Sequence, residues 1–427
     1  MRDERKLRMN IFDKAIAYVD LNRDELFSIL SGLVRIDTQN FDAYGNEKEG
    51  QLYVAQWLEA NGFKPQIYSP DSVPNIKNHK DYLAGRGLEN RPNVSVQYEE
   101  GKSGGVMLAA HMDTVLVGNP ESWKFDPFGG AIQSGRLYGR GAGDDKCGIA
   151  ASLFVMKTLK DLGISLKKPL MFTSYVDEED GGGDGALAAC LKYPSETFVN
   201  LDGGSGEVWV AGIGGCVYEI QVSLDHPTDS ASEVIDGLYI LKQKIAEFGE
   251  RRKIELHLNP LYSNSDMERS ALKFCGIQVG NGNVGVDSGK ISFVMLTDSS
   301  QSSVEKELAD VLEETRSILS PIGILVHDFS RLSRFFNYAE SKDNYGAIRD
   351  FIYALSEACG KRPSVKGACL SDLSVFLSAG AKSSFNYGIF RDFALEGGAH
   401  QKDEYIECED LIIEVKALLL FILKHCL

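Results

Sequence analysis

The sequence predicts an α/β fold: a mostly parallel-sheet domain into which a smaller, ferredoxin-like α+β unit is inserted. Two observations predict it. First, short apolar runs at 106–110 and 170–176 flank a long apolar helical pattern at 149–162, and strand, helix, strand in that order favours a parallel sheet. Second, the character changes after the glycine-rich stretch 211–215. A strand (216–224), a helix (233–248), two strands (274–279 and 291–296), a helix (304–319) and a strand (322–327) follow, which is the β-α-β-β-α-β pattern. The expected organisation is therefore a larger domain built from 1–213 and 331–427, with 214–330 inserted.

The elements follow in order. Leu26, Phe27, Ile29, Leu30 and Val34 recur at helical spacing over 24–35, and a second helix over 51–59 stops at Asn61-Gly62. Residues 69–91 are rich in Asp, Asn, Pro and Gly and read as loop. Pro92 opens a strand over 93–98, and the turn over 101–105 leads to the strand over 105–110, as a hairpin or adjacent pair. Beyond 331 helix and strand alternate again, with a helix over 345–358, a glycine-rich loop at 397–400 and a closing helix.

A chain of 427 residues is too long for one core. Its 43% hydrophobic and 25% charged residues are ordinary for a globular protein. A formal net charge of -16 argues against nucleic acid, which needs a basic stripe. The eight cysteines are scattered without a C-x-x-C pair, so neither a zinc ribbon nor a disulfide framework is expected. The charged start lacks an apolar core for a secretory signal, and Glu414, Lys416 and Lys424 interrupt the apolar C-terminus. A reducing cytosol and no membrane association are expected.

The apolar runs end abruptly in metal-ligand residues. The first meets His111-Met112-Asp113, the second Asp177-Glu178-Glu179-Asp180, and a third at 198–201 meets Asp202. In an open α/β sheet, sites form outside the carboxyl ends of the strands, so the three endings can converge. Asp144-Asp145-Lys146 follows a glycine-rich turn that has no Walker spacing. Carboxylates packed so closely repel unless a cation sits among them, which points to a metal-dependent hydrolase. Asp113, two residues from His111, can orient that imidazole. The glycines let one aspartate point into the site, and a first-turn helix role suits Asp145 better than Asp144. Of Glu178 and Glu179, one can bind metal while the other serves as general base. His400 sits late in the chain as a further neutral donor, whereas histidines 79, 257, 327 and 425 have no such surroundings.

Together the segments AAHMDTV, WKFDPFGGAIQSGRLYGRGAGDDKCG, the tandem Glu178-Glu179, LDGG and GGAHQKDE resemble the co-catalytic di-zinc metallopeptidase and amidohydrolase family of acetylornithine deacetylase, succinyl-diaminopimelate desuccinylase, carboxypeptidase G and aminoacylase-1. The resemblance implies that 1–213 and 331–427 form a catalytic domain and 214–330 a lid and dimerisation domain. It implies that His111 and Asp202 hold one zinc, Glu179 and His400 the other, and that Asp144 bridges them. Cobalt or manganese could replace zinc. Asp113 would orient His111, Glu178 would be the base, and His226 would steady the oxyanion in the partner subunit's site. The implied substrate is a small amide or short peptide. Two departures stand out. Ser300 occupies about the place of an arginine that grips the substrate carboxylate in many members, although Asn283 of the preceding motif is present. Asp144-Asp145-Lys146 also resembles the aminotripeptidase branch.

Overall fold

The computed structural model describes residues 2–41, 43–99, 105–204, 206–228, 230–280, 286–341, 346–381 and 383–427. Residues 101–104 of the expected turn, Asn283 and Tyr345 lie outside these residues. The chain divides into two compact units. One comprises Met1–Val210, Glu340–Ala368 and Val375–Leu427, the other Ala211–Ala339 and Cys369–Ser374. The chain leaves the second unit at 339 rather than 330, because Ser330–Arg331 pairs with that unit's longest strand, Ser330 opposite Glu219.

The first unit is organised by a mainly parallel sheet. Its order runs Gln66–Tyr68, Asn93–Tyr98, Leu170–Tyr175, Val106–His111, Thr197–Asn200, Ser383–Asn386. The last four strands are parallel neighbours. Val106–His111, Leu170–Tyr175 and Thr197–Asn200 are buried at every position, as expected where helices cover both faces of a parallel sheet. Helix Lys146–Asp161 carries the chain from Val106–His111 to Leu170–Tyr175 on one side. Helix Asp184–Lys192 then leads to Thr197–Asn200 on the other side. The strand order thus reverses about Val106–His111, which makes its carboxyl end a switch point where α/β folds place ligands. Leu153 and Phe154 of the first helix share a core with Phe351, Leu418 and Phe421 from Ala347–Cys359 and the closing helix Cys408–Cys426.

The expected hairpin between the 93–98 and 105–110 strands does not form. Leu170–Tyr175 lies between them, antiparallel to Asn93–Tyr98 (Val96 opposite Phe172) and parallel to Val106–His111. The crossover through Lys146–Asp161 returns the later strand into that place, which local turn chemistry cannot reveal.

The second unit has the β-α-β-β-α-β order. Its antiparallel sheet runs Leu272–Val279, Val286–Thr297, Gly214–Thr228, Ile324–Val326. Helices Ser232–Leu258 and Gln301–Leu319 cover it, with Leu238, Leu241, Ile245, Leu308 and Leu312 packed on Tyr218, Ile220 and Phe293. Among the described residues, no helix is long and apolar enough to cross a membrane.

Candidate metal centre

Register alone brings the first residues together. His111 lies opposite Tyr175, and Ala109 opposite Asn200. Asp202, two residues beyond Asn200, therefore leaves the sheet level with His111, and the Glu178-Glu179 turn leaves it beside Tyr175. His111, Asp144 and Asp202 each offer a ligand atom within 4.8 Å of the other two. Asp144, Glu179 and His400 form a second group of the same kind, so Asp144 belongs to both. Its Oδ1 lies 3.0 Å from His111 Nε2 and its Oδ2 3.1 Å from His400 Nε2. His400 Nε2 is also 3.2 Å from Glu179 Oε1. His111, Asp144, Glu179 and Asp202 are buried, whereas the His400 side chain keeps 37% of its surface exposed, so the group opens on the His400 side.

The glycine turn that delivers Asp144 is held from the far end of the chain. Buried Glu404 accepts from Gly143 N at 2.9 Å, Gly141 N at 3.2 Å and Asp144 N at 3.3 Å, and pairs with Arg140 at 2.6 Å. Arg140 also donates to the His400 carbonyl at 3.3 Å and covers the Trp123 ring. Gly141 has a φ of 78°, and a Cβ there would lie 2.6 Å from the Thr114 methyl, so only glycine fits.

The Glu178-Glu179 turn is held by Asp113. Its carboxylate accepts from the amides of Glu178 (3.0 Å) and Glu179 (2.9 Å) and from Asn40 Nδ2 (2.8 Å). His111 Nδ1 instead meets the Asp113 backbone carbonyl at 2.9 Å, with the carboxylate at 3.7 Å. Below the turn, Asp177 pairs with Arg86 at 2.9 Å and Arg91 at 3.1 Å, and Arg86 donates to the Glu179 carbonyl at 3.2 Å. A Cβ at Gly182 would lie 2.0 Å from the Asp177 carbonyl oxygen, so the turn can close only on glycine.

Burial opposes charge on both imidazoles, but the anions around them prevail. The Asp144 hydrogen bond and the charges of Glu178, Asp144 and Asp113 carry the His111 pKa well above the ordinary value. Burial likewise works against His400, yet Glu179 and Asp144 push it up to about 11. Burial would raise Asp144, but the two imidazoles hold it well below the carboxylate range. The field that retains protons on these ligands is the field that attracts divalent cations in their place. Nitrogen and carboxylate donors around a shared carboxylate fit a pair of such ions.

The other expected residues fall as follows. Asp145 is fully buried, and its Oδ2 lies 3.3 Å from His111 N. His226 stands exposed in the second unit, near the end of Gly214–Thr228. Ser300 caps helix Gln301–Leu319, its Oγ accepting from Ser303 N at 3.3 Å. Glu404, Arg140, Asn40, Arg86 and Arg91 received no role from sequence reasoning. The readable signal for Glu404 was a run of glycine amides that must find an acceptor once buried.

Comparison with known proteins identifies the family. The family described as peptidase family M20/M25/M40 matches residues 107–424. The chain is 31% identical over 185 residues to the N-formyl-4-amino-5-aminomethyl-2-methylpyrimidine deformylase of Halalkalibacterium halodurans, covering 43% of this chain and 40% of that protein. It is 33% identical over 116 residues to the succinyl-diaminopimelate desuccinylase of Beijerinckia indica, covering 27% and 30%. The chain thus spans less than half the length of these curated relatives. In fold it is similar to human carnosine dipeptidase 1, with a TM-score of 0.71 at 16% identity over 97% of this chain and 98% of that one. A tripeptidase of Staphylococcus aureus gives 0.66 at 17% identity over 94% and 98%.

Proposed function

Since the chain belongs to peptidase family M20/M25/M40, we propose that it is a di-metal hydrolase that cleaves the amide bond of a small N-acylated amino acid or related compound. The observation that carries this reading is the sharing of Asp144 between two ligand groups. His111 and Asp202 would hold one ion, Glu179 and His400 the other, and the donor set suits zinc, with cobalt or manganese as substitutes. Once bound, the ions supply Lewis acidity toward the scissile carbonyl and a positive field that makes water acidic.

The chain's own residues do the rest. Glu178 takes a proton from the attacking water and returns it to the leaving amine. Asp113, by holding the amides of Glu178 and Glu179, keeps the base and the neighbouring ligand in fixed relation. His226 donates to the developing oxyanion of a partner subunit's site, which makes the active form a homodimer through the second unit. The expected setting is the cytosol.

A second reading, a di- or tripeptidase, is favoured by one observation. Ser300 is committed to capping a helix and offers no charged fork for a substrate carboxylate. A catalytically silent binding protein is a weaker reading, since Glu178 and Asp144 are both present. The test is hydrolysis of N-formyl, N-acetyl and N-succinyl amino acids beside di- and tripeptides, each with zinc, cobalt and manganese. Acyl substrates turning over without a free α-amine support the deacylase. A strict α-amine requirement supports the peptidase, and no turnover of any compound overturns both enzymatic readings.

A further inference from the structure

A cavity of about 570 Å³ lies in the first unit, and none of the metal-ligand residues lines it. That size is ordinary for a small-molecule site. Its walls combine three cations, Lys124, Arg136 and Arg391, with the rings of Phe125, Tyr138 and Tyr405. Two of the cations are already neutralised. Lys124 pairs with Glu396 at 2.8 Å, and Arg136 with Glu407 at 2.8 Å. Among the described residues Arg391 forms no ion pair, although its charge reaches Asp410, and its buried Nε makes no hydrogen bond. In a chain of net charge -16, an unpaired guanidinium facing a cavity is the unusual feature.

The surroundings fix that guanidinium rather than leave it to sweep through solvent. Arg391 lies over the Tyr405 ring with 4.4 Å to its centroid, and Arg136 lies over the same ring at 4.4 Å. Stacking leaves the edge of the guanidinium free to donate to an anion. Phe125 and Tyr138 stack with centroids 3.9 Å apart, and Tyr138 meets Tyr405 at 5.3 Å, so the aromatic surface is continuous. Asp403 anchors this wall, its Oδ1 accepting from the amides of Lys124 at 2.6 Å and Phe125 at 3.3 Å. The wall is thus built from a strand pair, Arg136–Tyr138 with Tyr405–Glu407, and a carboxylate-tethered turn.

We propose that this cavity binds a flat aromatic compound carrying one acidic group, with the acid on Arg391 and the ring against Phe125, Tyr138 and Tyr405. The acid is a carboxylate or a phosphate monoester, since the guanidinium fork matches both. The site is separate from the metal centre, although the 397–405 segment that lines it also carries His400 and Glu404.

Calorimetric titration of the full-length, metal-loaded protein tests this. The probes are indole-3-acetate for the carboxylate, adenosine monophosphate for the phosphate, tryptamine as the same ring without an acid, and inorganic phosphate as an acid without a ring. One of the two aromatic acids should bind with one site per chain, and the tighter of the two identifies the acid. Tryptamine and inorganic phosphate should bind about tenfold more weakly or worse, as expected for losing one charge-assisted contact or the ring surface. Arg391→Gln should weaken binding by about tenfold or more. Leu395→Trp, which fills the cavity with Arg391 intact, should do the same and serves if the arginine variant folds poorly. Binding should persist in Asp144→Asn. Failure of both acids to bind overturns the proposal. So does equal affinity in Arg391→Gln and Leu395→Trp, or loss of binding in Asp144→Asn, which would put the ligand at the metal centre.

Discussion

Glu178 and Glu179 are neighbours in sequence that stand in different surroundings. Glu179 is buried against His400, while Glu178 is half-buried with its amide fixed by Asp113. Glu178→Gln should therefore retain metal, measured by elemental analysis, and lose on the order of 10²–10⁴-fold in turnover, as for removal of a general base. Near-normal turnover at normal metal content would remove Glu178 from that role. Asp145 makes the opposite case. Burial, reinforced by the charges of Asp202, Asp144 and Glu414 although His111 opposes it, pushes its pKa well above the carboxylate range. Its carboxylate accepts from the His111 amide and belongs to neither ligand group, so Asp145→Asn should lower metal content much less than Asp144→Asn in the same assay. These residues were legible because each closes an apolar run or a glycine turn. The hydrogen-bond partners of Asp113 beyond His111 were not legible. They include backbone amides 65 and 66 positions away, which a strand-end H-x-D does not suggest.

At the scale of elements, the least obvious contribution comes from the segment after His400. Glu404 satisfies three amides of the glycine turn and the Arg140 guanidinium, with Arg140 3% and Glu404 1% exposed. Glu404→Ala should cost about 3–5 kcal/mol, because it strands a buried arginine. Denaturant unfolding of the metal-free protein reads that cost without interference from bound ions. A loss below about 1 kcal/mol would mean that water replaces the carboxylate. Helices such as Arg23–Val34 and Ala347–Cys359 were readable from periodicity, and the three strands that end at the candidate ligands from their unbroken apolar runs, which match burial at every position. The place of Asn93–Tyr98 was not, because strand order depends on where a later crossover returns. The pairing of Arg140 with Glu404 spans 264 residues and leaves no local signature.

At the scale of the molecule, the order of elements in the second unit was visible in the sequence, while helices Arg2–Leu21 and Asp184–Lys192 of the first unit and the boundary at 339 were not. That boundary depends on a two-residue strand, Ser330–Arg331, whose pairing only the folded sheet reveals. If His226 completes a partner's site, mixing His226→Ala with Glu178→Gln protein should restore partial activity. Each mixed dimer then holds one site with an intact base and an intact histidine. No recovery despite demonstrated subunit exchange would take His226 out of the partner's site. If one carboxylate, Asp144, serves two ions, a metal titration of single-ligand variants should show it. Starting from chelator-treated protein, two zinc ions should bind per wild-type chain. One tight ion should remain in Asp202→Asn and one in His400→Ala, and both should weaken in Asp144→Asn. An Asp144→Asn protein that keeps either ion at wild-type affinity would contradict the shared carboxylate.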